Sequence, residues 1–120
     1  MIERRKYPRK LLSYYIQVID ATTQEIIGNL VDVSTIGLKI DGLNALPVDK
    51  IINIRLDTTP EIANQPYIEF SAGVRWCKSE IMTAGIFDIG LQIIHISPRD
   101  AEILARMAEK YGTKESSFHF

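Results

Sequence analysis

Apolar and polar residues alternate along most of this 120-residue chain, which is the pattern of β-strands that are buried on one face. The clearest stretch spans residues 67–78, where apolar side chains occupy every second position from Ile68 to Trp76. Polar segments and loops that contain proline or glycine separate these stretches. We therefore predict six strands, at residues 12–20, 26–33, 37–41, 50–57, 67–78 and 85–96.

The same alternation predicts which side chains face the core. In the fifth strand it places Trp76 on the apolar face, in the core or at its rim, and Arg75 and Cys77 on the opposite face. Arg75 is therefore expected to be a solvated or ion-paired surface residue. In the last strand Ile93 and Ile94 are adjacent, so the apolar face changes sides near residue 93. This change indicates a β-bulge, or a strand end that is covered on both faces.

One segment instead has the periodicity of an α-helix. Ser97 is a favoured N-cap, Pro98 suits the first helical position, and Gly112 ends the pattern. Between them the apolar residues form a single stripe, at positions 103, 104, 107, 108 and 111. We predict a helix over residues 97–111 that packs this stripe against the strands.

Six strands followed by one amphipathic helix indicate an all-β fold with one C-terminal helix. A six-stranded antiparallel β-barrel, split or Greek-key-like, fits this order, with the helix on its outside or across one end. Strands and helices do not alternate, which argues against the α/β folds that bind nucleotides. We expect residues 12–112 to form this domain, residues 1–11 a flexible basic arm, and residues 113–120 a tail.

Composition narrows the class of protein but not its function. The chain is 46% hydrophobic and 24% charged, which is typical of a soluble globular domain. Cys77 is the single cysteine, so an internal disulfide is excluded and a reducing compartment is favoured. No apolar run is long enough to span a bilayer, and the charged N-terminus lacks the pattern of a secretory signal. These features predict a cytoplasmic protein without a membrane span.

Charge is distributed unevenly along the chain. Residues 1–10 carry five basic side chains and one glutamate, for a net charge of +4, whereas the rest of the chain has a net charge of −5. A basic arm on an acidic body suits an anionic ligand. On charge alone, however, a solvated and disordered tail is the simpler interpretation.

Two short motifs give the arm a more specific chemistry. The arm contains RxxxR, with arginines Arg5 and Arg9, and the second strand runs into DxSxxG, formed by Asp32, Ser34 and Gly37. An arginine fork can bind phosphate or the Hoogsteen edge of guanine. A carboxylate can accept from guanine N–H groups, a serine hydroxyl can donate to phosphate, and a glycine can adopt positive φ and leave space for a ligand. Taken alone, DxSxxG is more simply a turn between strands, with Gly37 as its glycine.

The two motifs, in this order and on this predicted fold, resemble the PilZ domain, a bacterial receptor for cyclic di-GMP. The resemblance covers nearly the whole chain and includes the Val-Arg-Trp segment at residues 74–76 and the glycine-containing last strand. It implies that Arg5 and Arg9 bind guanine and phosphate. It also implies that Asp32, Ser34 and Gly37 line the binding site.

Three further cations are candidates at such a site. Arg4 precedes the RxxxR motif and is a ligand-binding candidate through stacking on the nucleotide, whereas Lys6 and Arg75 are candidates for supporting contacts. The resemblance implies that the arm becomes ordered around cyclic di-GMP and that the changed surface regulates an unidentified effector protein, in motility, biofilm or exopolysaccharide control. It implies no cofactor, and it leaves open whether a single cyclic di-GMP or an intercalated dimer is bound.

Other functions have less support in the sequence. A PilZ-like adaptor that binds no nucleotide is one alternative, but such relatives lack the arginines or the DxSxxG, and this chain has both. A small barrel that binds nucleic acid through the basic arm is another, but the strands carry net negative charge. No catalytic constellation is evident, so an enzyme is not expected. His95, His119 and Cys77 lack the spacing of metal ligands, so no metal site is expected.

Overall fold

The computed structural model describes residues 16–112 and Phe120. Within these residues the strands are β1 (Gln17–Asp20), β2 (Ile26–Val33), β3 (Gly37–Gly42), β4 (Ile51–Asp57), β5 (Tyr67–Ser79) and β6 (Phe87–Ile96), and the helix is α1 (Pro98–Tyr111). The six predicted strands and the predicted helix are therefore confirmed, with small differences at their ends. The predicted beginning of the first strand, at residues 12–15, lies outside the described residues.

The strands form a closed antiparallel barrel, as predicted. Their order around the barrel is β1-β2-β3-β6-β5-β4, and β1 closes the ring by pairing with β4 through Val18 and Leu56. Closure gives each of the six described strands two neighbours in the sheet. Alternate side chains from every strand fill the interior, among them the fully buried Leu30, Leu38, Ile54 and Leu91. Burial of each such side chain contributes roughly 1.5–3 kcal/mol to folding.

Helix α1 covers one open end of the barrel, which is one of the two predicted positions. It packs against β2 and β5, which are not neighbours in the sheet, so it must cross the opening between them. The Ser97 hydroxyl oxygen caps the helix by accepting from the backbone N–H of Asp100, at 3.2 Å. The predicted apolar stripe is buried in the barrel core through Ile103, Leu104, Met107 and Tyr111. No helix among the described residues has the length and hydropathy of a membrane span.

Side-chain contacts also fix α1 to the loop between β4 and β5. Lys110 Nζ lies 2.8 Å from a carboxylate oxygen of Glu61, and this hydrogen bond raises the pKa of the Lys110 amine. Arg106 donates to the backbone carbonyl of Ile62 at 2.9 Å, while the Ile62 side chain is buried in the core. These contacts hold the helix against the β4–β5 loop at two positions along its length.

Bulges change the side-chain alternation in three strands. In β6, Ser71 pairs with His95 and Ala72 with Ile93, which leaves Ile94 as the extra residue and confirms the bulge predicted near residue 93. In β2, Leu30 pairs with Ile40 and Asp32 with Lys39, so the extra residue is Val31. Val31 is buried, and it also lines a surface cavity.

The third bulge overturns the predicted faces at the end of β5. Val74 pairs with Leu91 and Trp76 with Gly90, so Arg75 is the extra residue and the alternation reverses after it. Trp76 therefore faces outward, and its predicted position on the core face is wrong. Cys77, which was expected to face outward, is instead partly buried against the core.

Candidate functional site

The outer face of β2, β3, β6 and β5 carries one row of paired residues that includes a predicted site residue. Asp32 pairs with Lys39, Lys39 with Gly90, and Gly90 with Trp76. The sequence neighbours of Lys39 and Gly90 lie in the barrel core, so the row faces outward. Asp32 is nevertheless only 3% exposed, and one of its carboxylate oxygens accepts from the Val33 N–H at 2.9 Å.

The DxSxxG segment forms a tight turn that is held by Ser34. The Ser34 hydroxyl oxygen accepts from the backbone N–H of Ile36 at 3.1 Å and of Gly37 at 3.2 Å, and the hydroxyl donates to the Gly37 carbonyl at 3.4 Å. The backbone N–H of Ser34 donates to the same carbonyl. This is the side-chain turn that the sequence allowed as the simpler alternative. The buried Ser34 hydroxyl thus has a structural role whether or not it also contacts a ligand.

Because this hydroxyl holds the turn, we expect Ser34→Ala to lower the free energy of unfolding by about 1–2 kcal/mol. The loss comes from one buried N–H group, that of Gly37, and one partly buried N–H group, that of Ile36, which both lose their acceptor. Urea denaturation of the variant and the wild type measures it. Ser71→Ala is a matched control, since the Ser71 hydroxyl makes one long contact of 3.5 Å at the surface, and its effect should stay within about 0.5 kcal/mol. Equal stability of Ser34→Ala and the wild type would contradict this assignment.

A glycine is required at position 37 because there is no room for a larger side chain, and not because of its backbone conformation. A methyl group built at Gly37 would overlap the backbone carbonyl oxygen of Leu91 on β6 and the ring of Phe120. Gly37 does not adopt the positive φ that a glycine allows, because among the described glycines only Gly85 has it. The space next to Gly37 is occupied by neighbouring protein atoms.

Arg75 lies on the same outer face as this turn. Its Nε donates to the side-chain oxygen of Gln92 at 2.6 Å, and its Nη1 lies 3.4 Å from a carboxylate oxygen of Asp49. Gln92 is the register partner of Gly37, so the Arg75 guanidinium lies near the turn, with β6 between them. The prediction of an ion-paired surface residue is confirmed. Its predicted position on the face opposite Trp76 is wrong, because both side chains face outward.

Trp76 lies over Gly90, at the end of the row that begins with Asp32. A methyl group at Gly90 would overlap the indole, so the glycine provides the space that the ring occupies. The ammonium of Lys78 is 5.2 Å from the ring centroid, within the range of a cation–π interaction. The outward direction of this aromatic side chain was not visible in the sequence, because the bulge at Arg75 has no signature in the alternation of β5 itself.

A surface groove next to this row contains three carboxylates that the sequence did not bring together. Asp41 and Asp88 are register partners on β3 and β6, and Glu80 follows β5 directly. Their carboxylate oxygens lie within 4.8 Å of one another. The cavity of about 460 Å³ that they line is also bounded by Trp76, Lys39, Lys78, Ile81 and Met82, and we call it the carboxylate groove.

Comparison with known families decides what kind of domain this is. The family model of the PilZ domain matches residues 3–110. The chain belongs to the PilZ domain family. Searches of curated proteins and of solved structures gave no significant match. The resemblance inferred from RxxxR and DxSxxG is thus confirmed at the level of the family, whose members are typically ligand-binding receptors for cyclic di-GMP.

The matched range in this PilZ domain includes the basic arm as well as the barrel. Arg4, Arg5, Lys6 and Arg9 lie outside the described residues, so their predicted contacts are not part of the geometry above. The structure brings Asp32, the turn at residues 34–37 and Arg75 to one face of the barrel. That face also carries Trp76 and the carboxylate groove, which sequence reasoning did not find.

Proposed function

We propose that this PilZ domain is a bacterial cytoplasmic receptor for cyclic di-GMP, which binds on the outer face beside Asp32 and the turn at residues 34–37. One observation carries the proposal: the family match spans both the arm with Arg5 and Arg9 and the barrel with DxSxxG. The barrel supplies a fixed surface, and the arm supplies the cations that an anionic ligand requires. Ligand-binding receptors of this family are generally not enzymes, and we propose no catalytic role.

The chemistry of the face supports a guanine nucleotide. Arg5 and Arg9 can each form a bidentate pair with phosphate or with the Hoogsteen edge of guanine. The Asp32 carboxylate can accept from the N–H groups of the guanine Watson–Crick edge. Trp76 offers an aromatic face for stacking, and such a contact typically contributes about 1–3 kcal/mol per base. Lys39, which lies in the same row, can neutralise a phosphate.

Arg4, Lys6 and Arg75 complete the proposed set of cations around the ligand. Arg4 is next to the RxxxR pair and can stack on a second nucleotide, whereas Lys6 and Arg75 add positive charge. The family resemblance supports an output through an unidentified effector protein, which would read the surface after the arm becomes ordered. Motility, biofilm and exopolysaccharide control are the processes that this resemblance suggests.

Nucleic acid fits the same face less well. Proteins that bind single-stranded nucleic acid usually present several cations and aromatic rings along their β-strands. Here the outer face next to Trp76 carries Asp41, Asp88 and Glu80, which repel a polyanion. We therefore propose a small anionic ligand and not a nucleic acid.

Isothermal titration of the full chain with cyclic di-GMP, beside GTP, tests the proposal. We expect saturable binding of cyclic di-GMP, no binding of GTP, and a molar ratio that distinguishes one bound nucleotide from an intercalated dimer. Thermal unfolding with the nucleotide in large excess gives a second readout, because a ligand that binds the folded state raises its stability. No heat and no stabilisation at high concentration would contradict the receptor and favour a PilZ-like adaptor that binds no nucleotide.

A further inference from the structure

Four large apolar side chains are exposed at the end of the barrel opposite helix α1. They are Ile26, Leu43, Ile81 and Met82, with exposed fractions of 56%, 74%, 97% and 62%. Strand β2 shows which end this is, because it runs from Ile26 to Val33, and the Val33 carbonyl lies beside Gly112 at the end of α1. Scattered side chains of this kind are ordinary on a protein surface, whereas a contiguous group of them marks an interaction surface.

Ile81 and Met82 lie in the tight connection between β5 and β6, and we call these two residues the apolar tip. The N–H of Glu80 donates to the Ile86 carbonyl at 2.8 Å, and the N–H of Ile86 donates to the Thr83 carbonyl at 3.4 Å. These bonds close the connection on itself and leave the apolar tip in solvent. A tip that is held in this way loses little conformational freedom on binding, which favours association.

A cavity of about 400 Å³ lies beside the apolar tip, and we call it the end hollow. Its lining includes Ile26, Leu43 and Ile86. Asp41 lines both the end hollow and the carboxylate groove, and the apolar tip lines the groove as well. The tip and the end hollow therefore belong to one continuous surface.

Charged side chains are scarce on the tip and in the end hollow. Residues 81–86 contain none, and among the described residues that line the end hollow Asp41 is the one charged residue. Depletion of charge at the centre of a surface is the compositional signature of a protein–protein interface. A lipid bilayer fits less well, because the described lining of the hollow has no basic residue to attract anionic headgroups.

The exposed apolar area is close to what a small dimer interface needs. The four exposed fractions together amount to nearly three whole side chains, or roughly 350 Å² at about 120 Å² for each. A standard interface buries roughly 800 Å² per partner, of which about 450 Å² is apolar. The half-buried Ile86 and the exposed Ala84 add to the area on this surface. An interface of this size is expected to associate in the micromolar range.

We propose that this end of the barrel is an interface between two copies of the chain, in which the apolar tip of each copy inserts into the end hollow of the other. The tip and the hollow lie side by side, so a two-fold rotation can place each tip opposite the hollow of the second copy. Both contacts then form at once, and the assembly closes as a dimer that leaves neither tip nor hollow open to a third copy. The association requires no nucleotide.

Analytical ultracentrifugation of the full chain without nucleotide, from low to high micromolar concentration, tests this interface. We expect a reversible equilibrium between monomer and dimer. The tip variant Ile81→Ser, Met82→Ser should weaken the dimer by at least about a hundredfold, because each dimer loses four anchoring side chains. Ile51→Ser, Ile94→Ser is a matched control that also removes two exposed apolar side chains. Both of these lie against Gly73 in the middle of β5, away from the tip, so the control should associate like the wild type.

A mixing experiment distinguishes the exchange of tips from a general apolar contact. The hollow variant Ile26→Glu, Leu43→Glu keeps its apolar tip but places charge in the end hollow, so alone it should be monomeric. When the tip variant and the hollow variant are mixed, the intact tip of one can enter the intact hollow of the other. We therefore expect a heterodimer at concentrations at which each variant alone is monomeric. Its formation would also show that both variants are folded.

Four results would overturn the proposal. A wild type that stays monomeric at every concentration would exclude the interface, and a dimer that persists in the tip variant would place it elsewhere on the barrel. Two variants that unfold at the wild-type temperature but fail to associate on mixing would exclude the exchange of tips. Cosedimentation of a monomeric wild type, but not of the tip variant, with phosphatidylcholine vesicles would assign the apolar tip to a membrane surface.

Discussion

Replacing Arg5 and Arg9 together by alanine should weaken cyclic di-GMP binding by at least about a hundredfold. Hydrogen bonds to charged groups contribute roughly 1.5–3 kcal/mol each, so the loss of two bidentate arginine contacts is expected to exceed 2.7 kcal/mol. Titration calorimetry of the variant beside the wild type measures this change. The barrel should keep its stability, because its closure and core are formed by described residues that do not include the arm.

The arm also contains a matched control with the same spacing. Lys6→Ala, Lys10→Ala removes two charges four residues apart, as the arginine variant does, but leaves both arginine forks in place. We expect a loss of only a few-fold from this variant, since it affects general electrostatic attraction. An Arg5→Lys, Arg9→Lys variant should remain strongly impaired because lysine keeps the charge but has no fork. Equal losses in all three variants would show that the arm acts through charge alone and would contradict the assigned roles.

Most of the fold was predictable because the strand signal is local. Between the bulges, the side chains of a strand that pack together recur every second residue. Ser97, Pro98 and Gly112 mark the ends of the helix. The β6 bulge was visible because Ile93 and Ile94 are adjacent and both apolar. The β5 bulge was not, since Val74-Arg75-Trp76 fits a regular strand equally well. Which residue is extra depends on the register with β6, and this information lies outside the β5 sequence.

Only the part of the candidate site that lies in the sequence motifs could be predicted. DxSxxG located the turn and allowed a side-chain hydrogen bond within it, but the sequence did not decide between that bond and a ligand contact for the Ser34 hydroxyl. The carboxylate groove depends on the pairing of Asp41 with Asp88, on strands that are distant along the chain, and on a loop that places Glu80 beside them. Such a cluster follows from barrel closure and has no pattern of spacing in the sequence.

Substitution of Gly37, the glycine of DxSxxG, distinguishes a role in the stability of the barrel from a role in nucleotide binding. We expect Gly37→Ala to lower the free energy of unfolding by about 2–3 kcal/mol, because the added methyl group overlaps the Leu91 carbonyl within the β3–β6 pairing. For a chain of this length that corresponds to a fall in melting temperature of roughly 10 °C. Thermal and urea unfolding of the variant without nucleotide measure it.

The clash at Gly37 has two components that respond differently. The Phe120 ring is a side chain that can move away, whereas the Leu91 carbonyl is fixed by the paired strands, so a Gly37→Ala, Phe120→Ala double variant should recover little stability. Gly85→Ala is the control for backbone conformation: φ is +83° there and no atom lies within 4 Å of the added methyl group, so a loss of only about 1 kcal/mol is expected. If Gly37→Ala instead folded with wild-type stability and lost only nucleotide binding, the glycine would be explained by the ligand and not by the barrel. The present geometry favours the barrel, because protein atoms already occupy the space that a ligand would need at this position.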